Sequence, residues 1–251
     1  MSGPMLDLGQ NGEVLILAAA PAEARAVCDA FDASAPESDW VAAPLGPGVE
    51  LVRTGVGKVN AAIAAARFVD SERHRAVLNV GVCGALPSPD GSPALAIGRV
   101  VVADVSVYAD EGIVTPSGWR DMAGAGFPPG GRGLGGVESF PGMGVPADAQ
   151  LRRSALQAFG ASAAHGVIAT VSSCSGTDAM AHEIAARTAG IAEGMEGAAV
   201  GHAVARVFGR SVAFLELRTV SNTTGDRDKQ VWDLRGALAA LTSALRTLSR
   251  P

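Results

Sequence analysis

Apolar residues along this chain come in short unbroken runs, each ending in small or polar residues that lead into a stretch with helical spacing. Val14 to Ala19 is the first run. It has strand length and no alternation, as expected of a strand covered on both faces. Pro21 suits the first turn of a helix, and Ala24, Val27, Cys28 and Phe31 follow at helical spacing. VELVRT predicts the next strand, ending in TGVGKVNAA, where Val59, Ala62, Ile63 and Ala66 continue as a helix face. AVLNVGVCGAL and IGRVVVADVSVYADEG predict two more strands. Residues 116–147 then lose all periodicity and are crowded with Gly and Pro. A loop of that length inside a compact domain is usually a lid, a binding loop or disorder, and Trp119, Phe127 and Phe140 favour a binding role.

Order resumes with a helix from Asp148, its N-cap, to Phe159, followed by the strand HGVIATVSS and a helix opening near Thr177 or Asp178. A short apolar run then meets an Ala/Val/Gly helix at Glu196, VAFLELRTV forms the last strand, and Leu234, Leu238, Leu241, Leu245 and Leu248 make one stripe on a closing helix. Strand and helix in repeated alternation predict an α/β fold, with a largely parallel sheet and helices on both faces. The 251 residues suit a flexible leader at 1–12 and a single domain over 13–251.

Composition narrows the function classes. Charged residues are 18% and the net charge is −5, so a nucleic-acid surface has no electrostatic support. Cys28, Cys83 and Cys174 are odd in number and never in a CxxC pair, which argues against a disulfide framework or a zinc cluster and for the cytoplasm. His74, His165, His182 and His202 lack HxH or HExxH spacing, so neither a metal nor another cofactor is expected. VLILAAAPAEA mimics a signal peptide, but Asp7 and Glu13 stand where a positive n-region belongs and no Lys or Arg precedes Arg25. No apolar stretch has the length to span a bilayer.

The candidate chemistry gathers at strand ends over Gly190–Asp228. Glu196 lies at a strand-to-helix junction, Arg218 rides in an apolar strand where a charge needs a partner, and Ser221 and Asn222 close that strand. Ligands of α/β proteins bind at that edge of the sheet. Glu23 alone reads as a carboxylate complementing a helix dipole, and the serines from Ser172 to Ser175 as loop and cap chemistry with a ligand-lining role open. Gly55 and Gly57 form no dinucleotide fingerprint, which needs glycine where Asn60 stands, and no Walker loop. That leaves a tight turn whose NH groups could approach a ligand. Gly81, Cys83 and Ala85 loosely echo a nucleophile elbow, but no histidine has the context of a base. Asp110 and Glu111, ending a strand, read as solvated carboxylates.

Taken together, LAAAPAEA, TGVGKVNAA, NVGVCGAL, GMEGAAV and ELRTVSNTTGDRD resemble the purine nucleoside phosphorylase and nucleosidase superfamily, from Val14 to the final helix. Within it the ELR/SN/GDRD run is most similar to the futalosine hydrolases, nucleosidases of a route to menaquinone. The resemblance implies a three-layer α/β/α sandwich around a mixed, partly barrel-like sheet, and cleavage of a purine N-glycosidic bond in a small-molecule nucleoside by a homo-oligomer. It implies that Glu23 activates water, Met195 and Glu196 hold the ribose, Arg218 supports them, and the backbone of Val82, Cys83 and Gly84 faces ribose and base. Asn222 stands at the purine, Ser221 is expected to bind substrate beside it, and Asp226 is a candidate acid for protonating the leaving base.

The departure is Asn222, where adenine-directed relatives carry Asp. Its NH₂ can donate to N7 or to a 6-oxo group but cannot protonate the leaving base, so a hypoxanthine-like purine is expected. A phosphorylase, another purine nucleosidase and a non-catalytic nucleoside-binding protein remain as alternatives. The first loop lacks the arginines that a phosphate site uses.

Overall fold

The computed structural model describes residues 13–88, 92, 95–131 and 142–249; the leader at 1–12 and Phe140 lie outside the described residues. The first run forms β1 (Glu13–Ala18) and Pro21 opens α1 (Pro21–Ala30). β2 (Ala42–Gly46) and β3 (Val49–Arg53) follow, then α2 (Lys58–Phe68), β4 (His74–Ala85) and β5 (Val100–Tyr108). β6 (Gly112–Thr115) precedes the Gly/Pro-rich region, which itself contains two short strands, β7 (Gly118–Asp121) and β8 (Gly144–Pro146). The second half runs α3 (Ala149–Phe159), β9 (Ala163–Thr170), α4 (Asp178–Thr188), β10 (Gly190–Gly194), α5 (Gly197–Phe208), β11 (Ala213–Thr223) and α6 (Leu234–Ser249).

The main sheet has the order β2-β3-β1-β4-β11-β5-β9-β10, with β8 on β5. Pairing of β10 back onto β4, antiparallel through Ala192↔Ala85 and Glu193↔Gly84, closes strands β4, β11, β5, β9 and β10 into a five-stranded barrel. The sheet is mixed: β1 is parallel to β3 and β4, whereas β11 and β5 run antiparallel. Side chains of β1 alternate between two cores. Val14, Ile16 and Ala18 pack with Val27, Leu241, Leu245 and Leu248 beneath α1 and α6, while Leu15 and Leu17 pack with Ala61, Val200 and Val204 beneath α2 and α5. That two-sided burial makes the sandwich three layers deep.

Four local expectations need correction. First, α2 buries Ala61, Ala64 and Ala65 and exposes Val59 and Ile63, at 72% and 50%. The alanine stripe lets the helix sit close to the sheet and α5, which turns its larger residues outward. Second, the region taken as structureless holds β7, which forms a hairpin with the preceding β6, and β8, whose patterns are too short for periodicity to register. Third, β9 stops at Thr170, and Leu234 is 45% exposed at the head of an otherwise buried stripe. Fourth, Asp110 and Glu111 are not simply solvated, because Lys58 pairs with both and Asp110 also accepts the backbone NH of Ser172.

Candidate active site

One guanidinium organises the site. Arg218, in the middle of β11, is 1% exposed. Its Nε donates to Glu216 Oε1 (2.8 Å), Nη2 to Asn79 Oδ1 (2.7 Å) and Glu196 Oε2 (3.1 Å), and Nη1 to the Val82 carbonyl (3.4 Å). Burial opposes its charge, but Glu216, Glu196 and Glu23 outweigh that and hold it protonated. Glycines make the room. A Cβ at Gly81, the β4 residue opposite Arg218, would stand 2.4 Å from Glu23 Oε1 and 2.7 Å from Arg218 Nη1. One at Gly197 would overlap the Glu216 carboxylate, so only glycine lets the start of α5 close over it.

Glu23 and Glu196 are held by backbone as well. Glu23, in the first turn of α1, is 5% exposed and accepts the NH groups of Ala20 through Oε2 and Val82 through Oε1, both at 2.8 Å. Burial is the main cause of its raised pKa, opposed by Arg218 and reinforced by Glu196. The surface carboxylate beside a helix dipole is therefore replaced by a buried group held in contact with β4. Glu196, at the N-cap position of α5, accepts the Gly57 NH (3.0 Å). Gly57 has φ +99°, in the left-handed region that favours glycine. The NH of this turn thus reaches Glu196. Glu216 is fully buried; burial raises its pKa against Arg218 and the Ser106 hydroxyl.

At the end of β11, the Ser221 hydroxyl lies 2.8 Å from Asn222 Oδ1 and 3.1 Å from the Cys83 carbonyl, while Asn222 Nδ2 donates to the Thr223 carbonyl (2.9 Å). These contacts orient the amide. Glu23, Val82, Cys83, Gly84, Met195, Glu196, Arg218, Ser221 and Asn222 line one cavity of about 470 Å³, while Glu216 and Asn79 hold Arg218 from outside it. That volume is in the range of small-molecule pockets. The one expected residue outside the lining is Asp226: it exchanges hydrogen bonds with Asp178 (3.0 and 2.9 Å) and pairs with Lys229 (2.8 Å). Lys229 first, then the Asp178 NH, keep its pKa below the usual carboxylate range, the wrong direction for an acid at neutral pH. Asp226 shapes the loop after β11.

Other candidates fall away from the cavity or into another role. Cys83 is buried, and burial pushes its thiol up to about 12, which leaves no thiolate for nucleophilic attack. Trp119 stacks under Arg187 at 4.7 Å and Phe127 is 68% exposed, and neither lines the cavity. Its aromatic wall is Trp232, with Arg227 over the ring at 4.8 Å. Among the described residues, Glu13, Glu50 and His74 cluster closely enough for a metal. Arg73 already bridges both carboxylates, and His74 Nδ1 accepts the Asp70 NH, so Nε2 carries the ring proton.

Two buried carboxylates, Glu193 and Glu216, escaped the sequence reading, while Ser175, for which a ligand-lining role was left open, lines the cavity and partners Glu193. Glu193 is 5% exposed, accepts the Ser175 NH (2.9 Å) and hydroxyl (2.6 Å), and has its pKa raised mainly by burial. The signal was the one that singled out Arg218, a charge inside an apolar strand, and it stands in both GIAEG and FLELR.

Known proteins resemble this chain over nearly its whole length. The model of the Phosphorylase superfamily matches residues 14–250. The futalosine hydrolase of Streptomyces coelicolor is 34% identical over 248 residues, 94% of each chain. That of Thermus thermophilus is 34% identical over 203 residues, 81% of this chain and 82% of its own. The solved structure of futalosine hydrolase from Helicobacter pylori superposes with a TM-score of 0.70 at 19% identity, covering 94% of this chain and 97% of its own, a likeness of fold.

Removing the central cation tests the electrostatics. Arg218→Met should destabilise the protein by about 3–5 kcal/mol at neutral pH, the cost of leaving buried carboxylates without their partner. Glu23 and Glu216 have folded pKa values above their unfolded ones, so their protonation favours the folded state and stability is lost as pH rises through the folded values. The deficit of Arg218→Met relative to the native protein should therefore be larger at pH 8 than at pH 5, as measured by urea denaturation.

Proposed function

The chain belongs to the phosphorylase superfamily, and from this we propose that it is a nucleosidase that hydrolyses the N-glycosidic bond of futalosine, releasing hypoxanthine and dehypoxanthine futalosine for menaquinone biosynthesis. The observation that carries the reading is the meeting of Glu23, the Arg218–Glu196 pair and the oriented Asn222 amide in one cavity, in a chain 34% identical to two futalosine hydrolases.

In this reading the C1′–N9 bond breaks through an oxocarbenium-like transition state. Glu23 takes a proton from the attacking water, and its raised pKa makes it a better base than an exposed carboxylate. Glu196, held by Arg218 and Gly57, accepts hydrogen bonds from the ribose hydroxyls as charge develops, and Met195 packs on the sugar. Asn222 donates to N7 or O6 of the departing purine. The backbone of Val82, Cys83 and Gly84 forms the floor beneath ribose and base. Because Asp226 stands outside the cavity, the N7 proton comes from solvent or from an acid other than Asp226. Water is favoured over phosphate as nucleophile: a phosphate beside Glu23 and Glu196 would meet two buried carboxylates, and Arg218 is already engaged by Glu216, Glu196 and Asn79.

The same reading makes the protein a homo-oligomer working in the cytoplasm. Val56, Val59 and Ile63 expose an apolar face at 51%, 72% and 50%, and Val56 also lines the cavity, so a second copy covering this face would close the site. The three free cysteines fit a reducing compartment. Among the described residues no helix is long and apolar enough to cross a membrane.

Measurements of turnover, base preference and particle size check these assignments. Incubated with futalosine in phosphate-free buffer, the protein should release hypoxanthine, seen by chromatography; strict phosphate dependence would make it a phosphorylase. Glu23→Gln should lower kcat by about 10²–10⁴-fold, and Asn222→Asp should move preference toward 6-aminopurine nucleosides. Light scattering should report a smaller particle for Val59→Lys than for the native protein; an unchanged mass would remove the α2 face from the interface.

A further inference from the structure

Glu193 is the buried carboxylate for which the proposed mechanism has no use. Its position in the barrel is specific. Gly84 of β4 pairs with Asn222 of β11 on one side and with Glu193 of β10 on the other, so the three form one row across adjacent strands. The middle position is bare. A Cβ at Gly84 would stand 3.2 Å from Asn222 Nδ2, 3.5 Å from Glu193 Cγ and 2.8 Å from Thr224 Cγ2. The missing side chain leaves a slot flanked by an amide and a carboxylate, and Gly84, Asn222 and Glu193 all line the cavity.

The hydrogen-bond polarity of that slot is set by its surroundings. Ser221 donates to Asn222 Oδ1 and Thr223 accepts from Nδ2, which leaves one N–H of the amide for a ligand. Ser175 donates its backbone NH to Glu193 Oε1 and its hydroxyl to Oε2, so both carboxylate oxygens are acceptors, each with a second lone pair to offer. The slot therefore presents one donor and one acceptor. A 6-oxopurine carries the complement on adjacent atoms, an acceptor at O6 and a donor at N1–H. A 6-aminopurine carries the reverse, a donor at the amino group and a lone pair at N1, so both contacts would oppose.

We propose that Glu193 is a specificity-determining residue that accepts the purine N1–H while Asn222 donates to O6, so that the pair together selects 6-oxopurines. The inference rests on the reading of the cavity as a purine nucleoside site and extends it to a residue on a different strand. Ser175 is the positioning residue of the pair, since it fixes the carboxylate plane. Asn222 alone rejects a 6-amino group at one atom; with Glu193 the rejection extends to N1. Sites that hydrogen-bond a substrate group reject the mismatched analogue strongly because their buried polar atoms are left unpaired.

Binding of free bases to the full-length protein, followed by calorimetry, tests this independently of turnover. Hypoxanthine should bind at least about 10²-fold more tightly than adenine or 1-methylhypoxanthine, in which N1 carries no proton. Glu193→Gln, which offers an NH₂ to N1, should narrow the hypoxanthine-to-adenine ratio by tenfold or more. Equal binding of the bases, no binding of hypoxanthine, or an unchanged ratio in Glu193→Gln would overturn the proposal; the native protein's response to 1-methylhypoxanthine decides even if the variant does not fold. Futalosine turnover assayed alongside separates the two readings. Base preference without hydrolysis would sink the proposed activity and keep the role of Glu193, and hydrolysis with an unchanged ratio would do the opposite.

Discussion

The structure depends on a single buried cation having enough partners. An unpaired guanidinium in the middle of a strand would be too costly to keep, yet Arg218 sits at 1% exposure because Glu216, Glu196, Asn79 and the Val82 carbonyl close around it and Glu23 lies nearby. Glu23 and Glu196 come from the β1–α1 and β10–α5 junctions, whereas Glu216, Asn79 and Val82 come from within β11 and β4. Satisfying the arginine therefore fixes where α1 and α5 begin relative to β4 and β11. The catalytic geometry proposed for Glu23 and Glu196 is then a by-product of charge compensation in the core. Gly81 and Gly197 belong to the same requirement, since any side chain there would occupy the carboxylates' space.

Closing the barrel forms the end of the cavity proposed to hold the purine. Without the antiparallel pairing of β10 to β4, Glu193 would have no fixed relation to Asn222; with it, the two stand on either side of Gly84. Polar residues buried on neighbouring strands are expensive unless each has a partner. Here Ser175 and Ser221 supply partners that also set which atoms face the cavity. Asymmetric partnering of this kind turns a polar pocket into one that can discriminate between purines.

Much of this was legible in the chain. Glu23, Glu196, Arg218, Ser221 and Asn222 were each visible as polar residues at the ends or centres of apolar runs, and all five line the one cavity. Glu193 and Glu216 carried the same signal and were passed over because short apolar runs do not say which charges face inward. Asp226 showed the reverse failure: a carboxylate in a motif-like run turned out to cap a loop with Asp178 and Lys229. The α2 face was misjudged for a related reason. Helical spacing placed Val59 and Ile63 on one stripe, but close packing against α5 favoured the alanine stripe.

The sequence by itself determined the alternation of strand and helix, the two-sided burial of β1 and the residue types at the strand ends, because periodicity and the cost of buried charge act locally along the chain. The hydrophobic pattern alone gave no mixed or closed sheet, which only the family resemblance implied; the tertiary structure decided that β10 pairs back onto β4 to close the barrel, that Glu193 meets Gly84 and Asn222, and that Asp226 stays outside. Those outcomes depend on strand register and on which backbone NH or hydroxyl reaches each carboxylate. Such partners lie far apart in sequence, and no spacing rule records them.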